Sequence, residues 1–94
     1  MKATIKKLKK LNPCRAATEW VKTQSDPQTA WDNCKDGWWM RWLLDKLKSP
    51  KSTIIELEWG LIFRTMRNTH LYPEINEAYA NMVRKHHPKA PKLK

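Results

Sequence analysis

Glycine is scarce in this chain: Gly37 and Gly60 are the only two in 94 residues. A β-sandwich or barrel needs many tight turns, and tight turns need residues that tolerate positive φ, so the scarcity argues against such a fold. The same scarcity removes Gly-rich phosphate loops, because no run lets backbone amides approach a phosphate. Cysteine is equally sparse. Cys14 and Cys34 make no disulfide framework and read as reduced thiols of a cytosolic protein. No apolar run approaches the ~18 residues of a membrane span, and the first lysines are not followed by the apolar core of a signal peptide. The expectation is a soluble, cytoplasmic chain with no membrane partner.

Acids are also few. Nine Asp and Glu face nineteen Lys and Arg, a formal net charge of +10. The excess is not spread evenly. Residues 1–10 hold five lysines and no acid, and residues 73–94 hold five basic and two acidic groups. The stretch between them, 11–72, is close to balanced, with nine basic and seven acidic residues. A near-neutral body with basic ends favours a polyanionic partner: nucleic acid, a nucleoprotein or an acidic protein surface.

What the chain has in abundance is tryptophan: Trp20, Trp31, Trp38, Trp39, Trp42 and Trp59. A chain of this length closes one modest core, which must be built from few, large side chains. Helix punctuation then divides the sequence. Ile5, Leu8 and Leu11 recur every three residues among lysines, so residues 1–11 read as a basic amphipathic arm or short helix. Asn12-Pro13 opens a helix at about 13–24, with Cys14, Ala17, Trp20 and Val21 inward. Asp26-Pro27 repeats the device for 27–35, and Gly37 is placed to end that helix in a left-handed conformation. Residues 38–48 form the most apolar helix, stopped by Ser49-Pro50. Thr53 and Glu56 fit a capping box for 54–68, whose apolar residues lie nearly all round and predict a central helix. Pro73 opens a last helix, with Ile75, Ala78, Tyr79, Met82 and Val83 inward, that Pro88 ends. The fold expected is all-α: a compact bundle of four or five short helices, a helical domain over 12–87, flexible basic termini, and a disordered tail at 88–94.

Trp31, Cys34 and Trp38 fall at i, i+3 and i+7, the spacing of a core face, and so do the pairs Trp38–Trp42 and Trp39–Leu43. Adjacent Trp38 and Trp39 point about 100° apart on a helix, so at least one is expected to reach the surface. An exposed one would serve as an anchor for a protein or a platform for a base, with Arg41, Lys46 and Lys48 close by in sequence. The candidate partner-binding residues are Lys6, Lys7, Lys9 and Lys10 on the arm, Trp38, Trp39, Arg41, Lys46 and Lys48 in the middle, and Arg84 and Lys85 near the end. Lysine rather than arginine dominates the ends, which fits phosphate contact better than bidentate reading of bases. Cys14, Cys34, His86 and His87 match no zinc spacing, and buried thiols and a helix end account for them. Glu56, Glu58 and His70 are the one grouping a nuclease would use, yet they sit in no catalytic arrangement, and capping and pairing explain the carboxylates. No catalytic residue, metal or cofactor is assigned, and no oligomeric state.

Over residues 11–47 the chain resembles a segment that recurs in small phage- and prophage-encoded proteins. There, a short helix with Cys and Glu-Trp precedes an Ala-Trp-x-x-Cys step and a Gly-Asp-Trp-x-x-Trp-Leu-like step. The matching residues are Cys14, Glu19-Trp20, Ala30-Trp31, Cys34 and Trp39 to Leu43. The departure is Gly37-Trp38-Trp39, where the family pattern has an acid before the Trp. The resemblance implies a viral or mobile-element origin, and with it, by analogy, an inhibitor that blocks a host nucleoprotein or a defence nuclease such as a CRISPR effector. The function expected first is therefore a non-enzymatic inhibitor acting by occlusion in the host cytoplasm. The alternative is a direct nucleic-acid-binding protein using lysine-rich arms with Trp and Arg contacts.

Overall fold

The structure, a computed structural model, describes residues 2–66 and 72–93. It is all-helical, with no strand among the described residues. Six helices follow one another among the described residues: α1 (Lys2–Lys9), α2 (Arg15–Lys22), α3 (Pro27–Asn33), α4 (Gly37–Lys46), α5 (Lys51–Met66) and α6 (Tyr72–His86). The count exceeds the expected four or five because the lysine-rich start forms a helix of its own. Its Leu8 is buried and Ile5 half-buried, so the apolar row turns inward and supplies the packing that a short helix needs.

Several helix ends depart from the expected punctuation. Asn12 does not open α2. It adopts φ 58° and accepts its place at the end of the first helix, its N–H bonded to the Lys9 carbonyl at 3.1 Å. Asparagine tolerates this left-handed conformation better than most residues. Cys14 takes the cap position of α2 without a side-chain bond. Asp26 behaves as expected, its Oδ1 accepting from Thr29 N at 2.8 Å. Thr53 and Glu56 lie inside α5 rather than at its start, which Ser49 marks instead, its Oγ accepting from Lys51 N at 3.3 Å. The left-handed residue that closes α4 is Lys48, with φ 55°. Ser49 N reaches back to the Leu44 carbonyl at 2.9 Å, completing a Schellman-type end.

Gly37 carries the largest correction. It has no positive φ and ends nothing. It is the first residue of α4, capped by Asp36, whose Oδ1 accepts from Trp39 N at 3.1 Å. Glycine is required there by a close approach: a Cβ would come within 2.6 Å of Ala80 N and closer still to Tyr79 Cβ. The Gly37 N–H donates to Asn76 Oδ1 at 2.8 Å across the same gap. The start of α4 thus rests directly on the backbone of α6.

The core lies where α4 and α5 both meet α6. Tyr79 stacks on Trp59 with ring centroids 4.2 Å apart, and Trp38 meets Tyr79 edge-on at 4.8 Å. Leu44, Ile55, Ala80 and Val83 are fully buried around them. The central helix is α6. The expected one, α5, buries only Ser52, Ile55 and Trp59 and leaves Ile54, Leu57 and Leu61 half or more exposed. Its apolar residues do lie nearly all round, but α6 covers a single face.

The two glycines should respond in opposite ways to alanine. Gly37→Ala forces α4 off α6 and should lower stability by roughly 1–3 kcal/mol. Gly60 has nothing within 4 Å of its Cβ position, so Gly60→Ala should raise stability by about 0.5–1 kcal/mol through helix propensity alone. Urea denaturation of both variants reads the two signs.

Candidate functional site

Eight of the ten net charges lie at the chain ends, so where the ends sit decides the electrostatics. Lys6, Lys7 and Lys9 stand on α1 and Lys10 in the turn after it, all four exposed. Residues 88–93, read from the sequence as a tail without structure of its own, contain no helix but cross α3. Gln28 clasps them, its Nε2 donating to the Pro88 carbonyl at 3.1 Å and its Oε1 accepting from Ala90 N at 2.7 Å. The Trp31 indole donates to the His87 carbonyl at 2.7 Å just before. This path carries Lys92 to the same surface hollow as Lys7, a hollow that Thr4, Asp26, Gln28 and Leu93 complete. One lysine from each basic end, Lys7 and Lys92, therefore meets at this hollow.

Beside that hollow lies a tryptophan-lined cleft of about 330 Å³. Leu8 of α1 and Ala17, Trp20 and Val21 of α2 form one wall. Ala30, Trp31 and Cys34 from α3 and its end, with Trp38, Trp39, Trp42 and Leu43 of α4, form the other, and Ala90, Pro91 and Leu93 close the edge. The α1–α2 pair packs on itself and rests over α3 and α4 through few, bulky side chains, Trp20 against Trp39 at 6.2 Å among them. Bulky rings meeting at such angles leave space between them. The volume sits at the low end of the range of about 300–1,000 Å³ typical of small-molecule sites.

The remaining candidate residues do not join this face. Trp38 belongs to the core, edge-on to Trp59 as well as Tyr79, with its N–H buried and unpartnered among the described residues. Trp39 lines the cleft. Arg41 ties α4 to α5, its guanidinium 3.3 Å from Asp45 and 3.6 Å from Glu56. Lys46 lies over the Trp42 ring, 5.8 Å from its centroid. Lys48 occupies the helix-ending turn. Arg84 turns inward, donating to the carbonyls of Trp31 at 3.0 Å and Cys34 at 2.6 Å, so it closes the end of α3 and is a structural cap. Lys85 reaches Glu58 at 3.5 Å.

The metal and nuclease groupings fare similarly. Cys14 is exposed and Cys34 buried, both free, and burial pushes the Cys34 thiol up. No cluster of three metal-ligating side chains occurs among the described residues. Glu56 is paired with Arg41, and Glu58 with His86 and Lys85. His70 lies outside the described residues. Sequence reasoning missed Gln28, Trp20 and Leu93 as organisers of this region. Trp20 carried a periodic signal, but no local pattern marks a glutamine that holds a tail 60 residues away.

No helix among the described residues is long and apolar enough to cross a membrane. Comparison with family models, with curated proteins and with solved structures gives no match.

The Glu58–His86 contact makes stability depend on acid. The hydrogen bond from His86 holds the Glu58 carboxyl below its ordinary value, with help from Lys85. A lowered folded-state value stabilises the protein above the ordinary glutamate range, and that contribution is lost as pH falls through the folded value. Urea midpoints should therefore drop more steeply between about pH 5 and 3 in the native protein than in His86→Ala.

Proposed function

We propose that this chain is a non-enzymatic binding protein that grips the phosphate backbone of nucleic acid with one basic face, formed by α1 and the C-terminal segment. The observation that carries this reading is the convergence of Lys7 and Lys92 on a single hollow, which merges two separate basic ends into one field. Lysines on a helix face and an extended segment suit point contacts to phosphates rather than bidentate reading of bases. Binding of this kind is weakly sequence-selective and falls steeply with salt, log K dropping by about 0.9 per phosphate contact for each decade of salt.

Labelled single- and double-stranded DNA and RNA, titrated at low and moderate salt, test it directly. The protein should bind at low salt with a strong salt slope. Replacing Lys6, Lys7, Lys9, Lys10 and Lys92 by Gln should flatten that slope while the helical signal stays. Absence of binding in dilute buffer would overturn the reading.

A second reading rests on a different observation, the row Ile54, Leu57 and Leu61 on one face of α5, exposed among the described residues. Such a face suits a protein partner. Together with the resemblance of residues 11–47 to phage-encoded segments, it supports an inhibitor that occludes a host nucleoprotein or defence nuclease from within the host cytoplasm. Cleavage by a purified CRISPR effector should then fall on adding the protein, and Leu57→Glu should relieve the inhibition without altering nucleic-acid binding.

A further inference from the structure

We propose that the tryptophan-lined cleft is a binding site for a single-chain amphiphile, with its apolar tail between α2 and α4 and its anionic head between Lys7 and Lys92. This goes beyond the nucleic-acid reading and shares only the two lysines with it.

The cleft selects for an apolar occupant. No charged or amide side chain lines it. Its few polar groups are the Thr4 hydroxyl, the Cys14 and Cys34 thiols and the indole N–H groups, of which that of Trp31 is already bonded to the His87 carbonyl and that of Trp38 is buried. A nucleobase or sugar would leave its own donors and acceptors unpaired there, a loss of roughly 1–3 kcal/mol for each group. A hydrocarbon chain forfeits nothing, and it would cover the faces of Trp20, Trp39 and Trp42 together with Leu43. The cleft opens to the surface, so its apolar space of about 330 Å³ is accessible to a ligand of that kind.

The mouth selects the charge. Cleft and hollow share Thr4, Pro27, Ala90, Pro91 and Leu93 along their common edge. The charged groups at the hollow are Lys7, Lys92 and Asp26. The Asp26 carboxylate is turned to the start of α3, accepting from Thr29 N at 2.8 Å, Thr29 Oγ1 at 2.9 Å and Ser25 Oγ at 3.2 Å. The two ammonium groups have no such partner among the described residues and complement a carboxylate or phosphate head. Apolar depth beside a cationic rim fits an anionic amphiphile and disfavours both a cationic one and a bare anion. Because the tail must enter between helices, the occupant is a dissolved monomer rather than a lipid held in a bilayer.

The full-length protein, titrated with decanoate and with decyl phosphate below their micellar concentrations, tests this by tryptophan fluorescence and calorimetry. Saturable one-to-one binding with a blue-shifted emission is expected, roughly fivefold to tenfold tighter than for decyltrimethylammonium. Inorganic phosphate should give no shift. The double variant Lys7→Glu, Lys92→Glu should abolish or reverse the preference for the anion while leaving decanol binding unchanged. Ala17→Phe should fill the cleft and remove decanol and decyl phosphate together; if that variant does not fold, the charge-reversal pair decides the matter alone. The proposal is overturned by an unsaturable response, by equal affinity for the cationic probe, or by association with anionic phospholipid vesicles in the absence of monomer binding. None of these readouts involves nucleic acid, so failure of the nucleic-acid reading would leave the result standing.

Discussion

The seating of Gly37 on α6 is the contact on which the rest of the molecule depends. With no side chain between them, the start of α4 and the Tyr79–Ala80 backbone approach to a distance that any Cβ would block. That closeness sets α4 at the height where Trp38 meets Tyr79 edge-on, and Tyr79 in turn stacks on Trp59 of α5. Three large rings from three helices thus lock together around a single residue of α6. Burial pushes the Tyr79 phenol up to about 12, as expected of a hydroxyl enclosed by aromatic surface. A small chain can fold around so few contacts because each ring buries a large area.

Once α4 and α6 are fixed, hydrogen bonds add to the packing of Trp31 and Cys34 in placing α3. Arg84, projecting from α6, binds the carbonyls of Trp31 and Cys34 and so holds the end of α3. Trp31 and Gln28, projecting from α3, hold the chain that leaves α6. The clasp is reciprocal: each element supplies donors to the other's backbone. Its result is that a lysine-rich tail, which self-repulsion would otherwise drive into solvent, lies beside a lysine-rich helix. Bringing like charges together is unfavourable, and the positive excess that Asp26 only partly offsets at that hollow is the physical basis for expecting an anionic partner.

The tryptophans divide the same way. Trp38 and Trp59 serve the α4–α5–α6 core, whereas Trp20, Trp39 and Trp42 border the cleft beneath α1 and α2, whose lining Trp31 and Trp38 also reach. The second group meets across helices that touch at few points, so their rings do not interlock. Adjacent residues on α4 therefore turn to different ring partners through the angular step of a helix, Trp38 to Tyr79 and Trp59, and Trp39 to Trp20.

Much of the local structure was legible in the chain alone. Asp26-Pro27 marks the start of α3 because a carboxylate cap and a fixed proline φ act within four residues. The inward row of α6, Ile75, Tyr79, Met82 and Val83, follows from periodicity, and the scarcity of glycine already argues against a β-sandwich or barrel. Tertiary structure decided what depends on distant neighbours. Gly37 reads locally as a helix terminator, and only the backbone of α6 explains it as a close approach. The apolar residues of α5 suggest a central helix, yet a helix is central only if others cover it, and α6 covers one face. The meeting of the two basic ends, 85 residues apart at Lys7 and Lys92, hangs on Gln28 and Trp31, whose partners no local pattern could name.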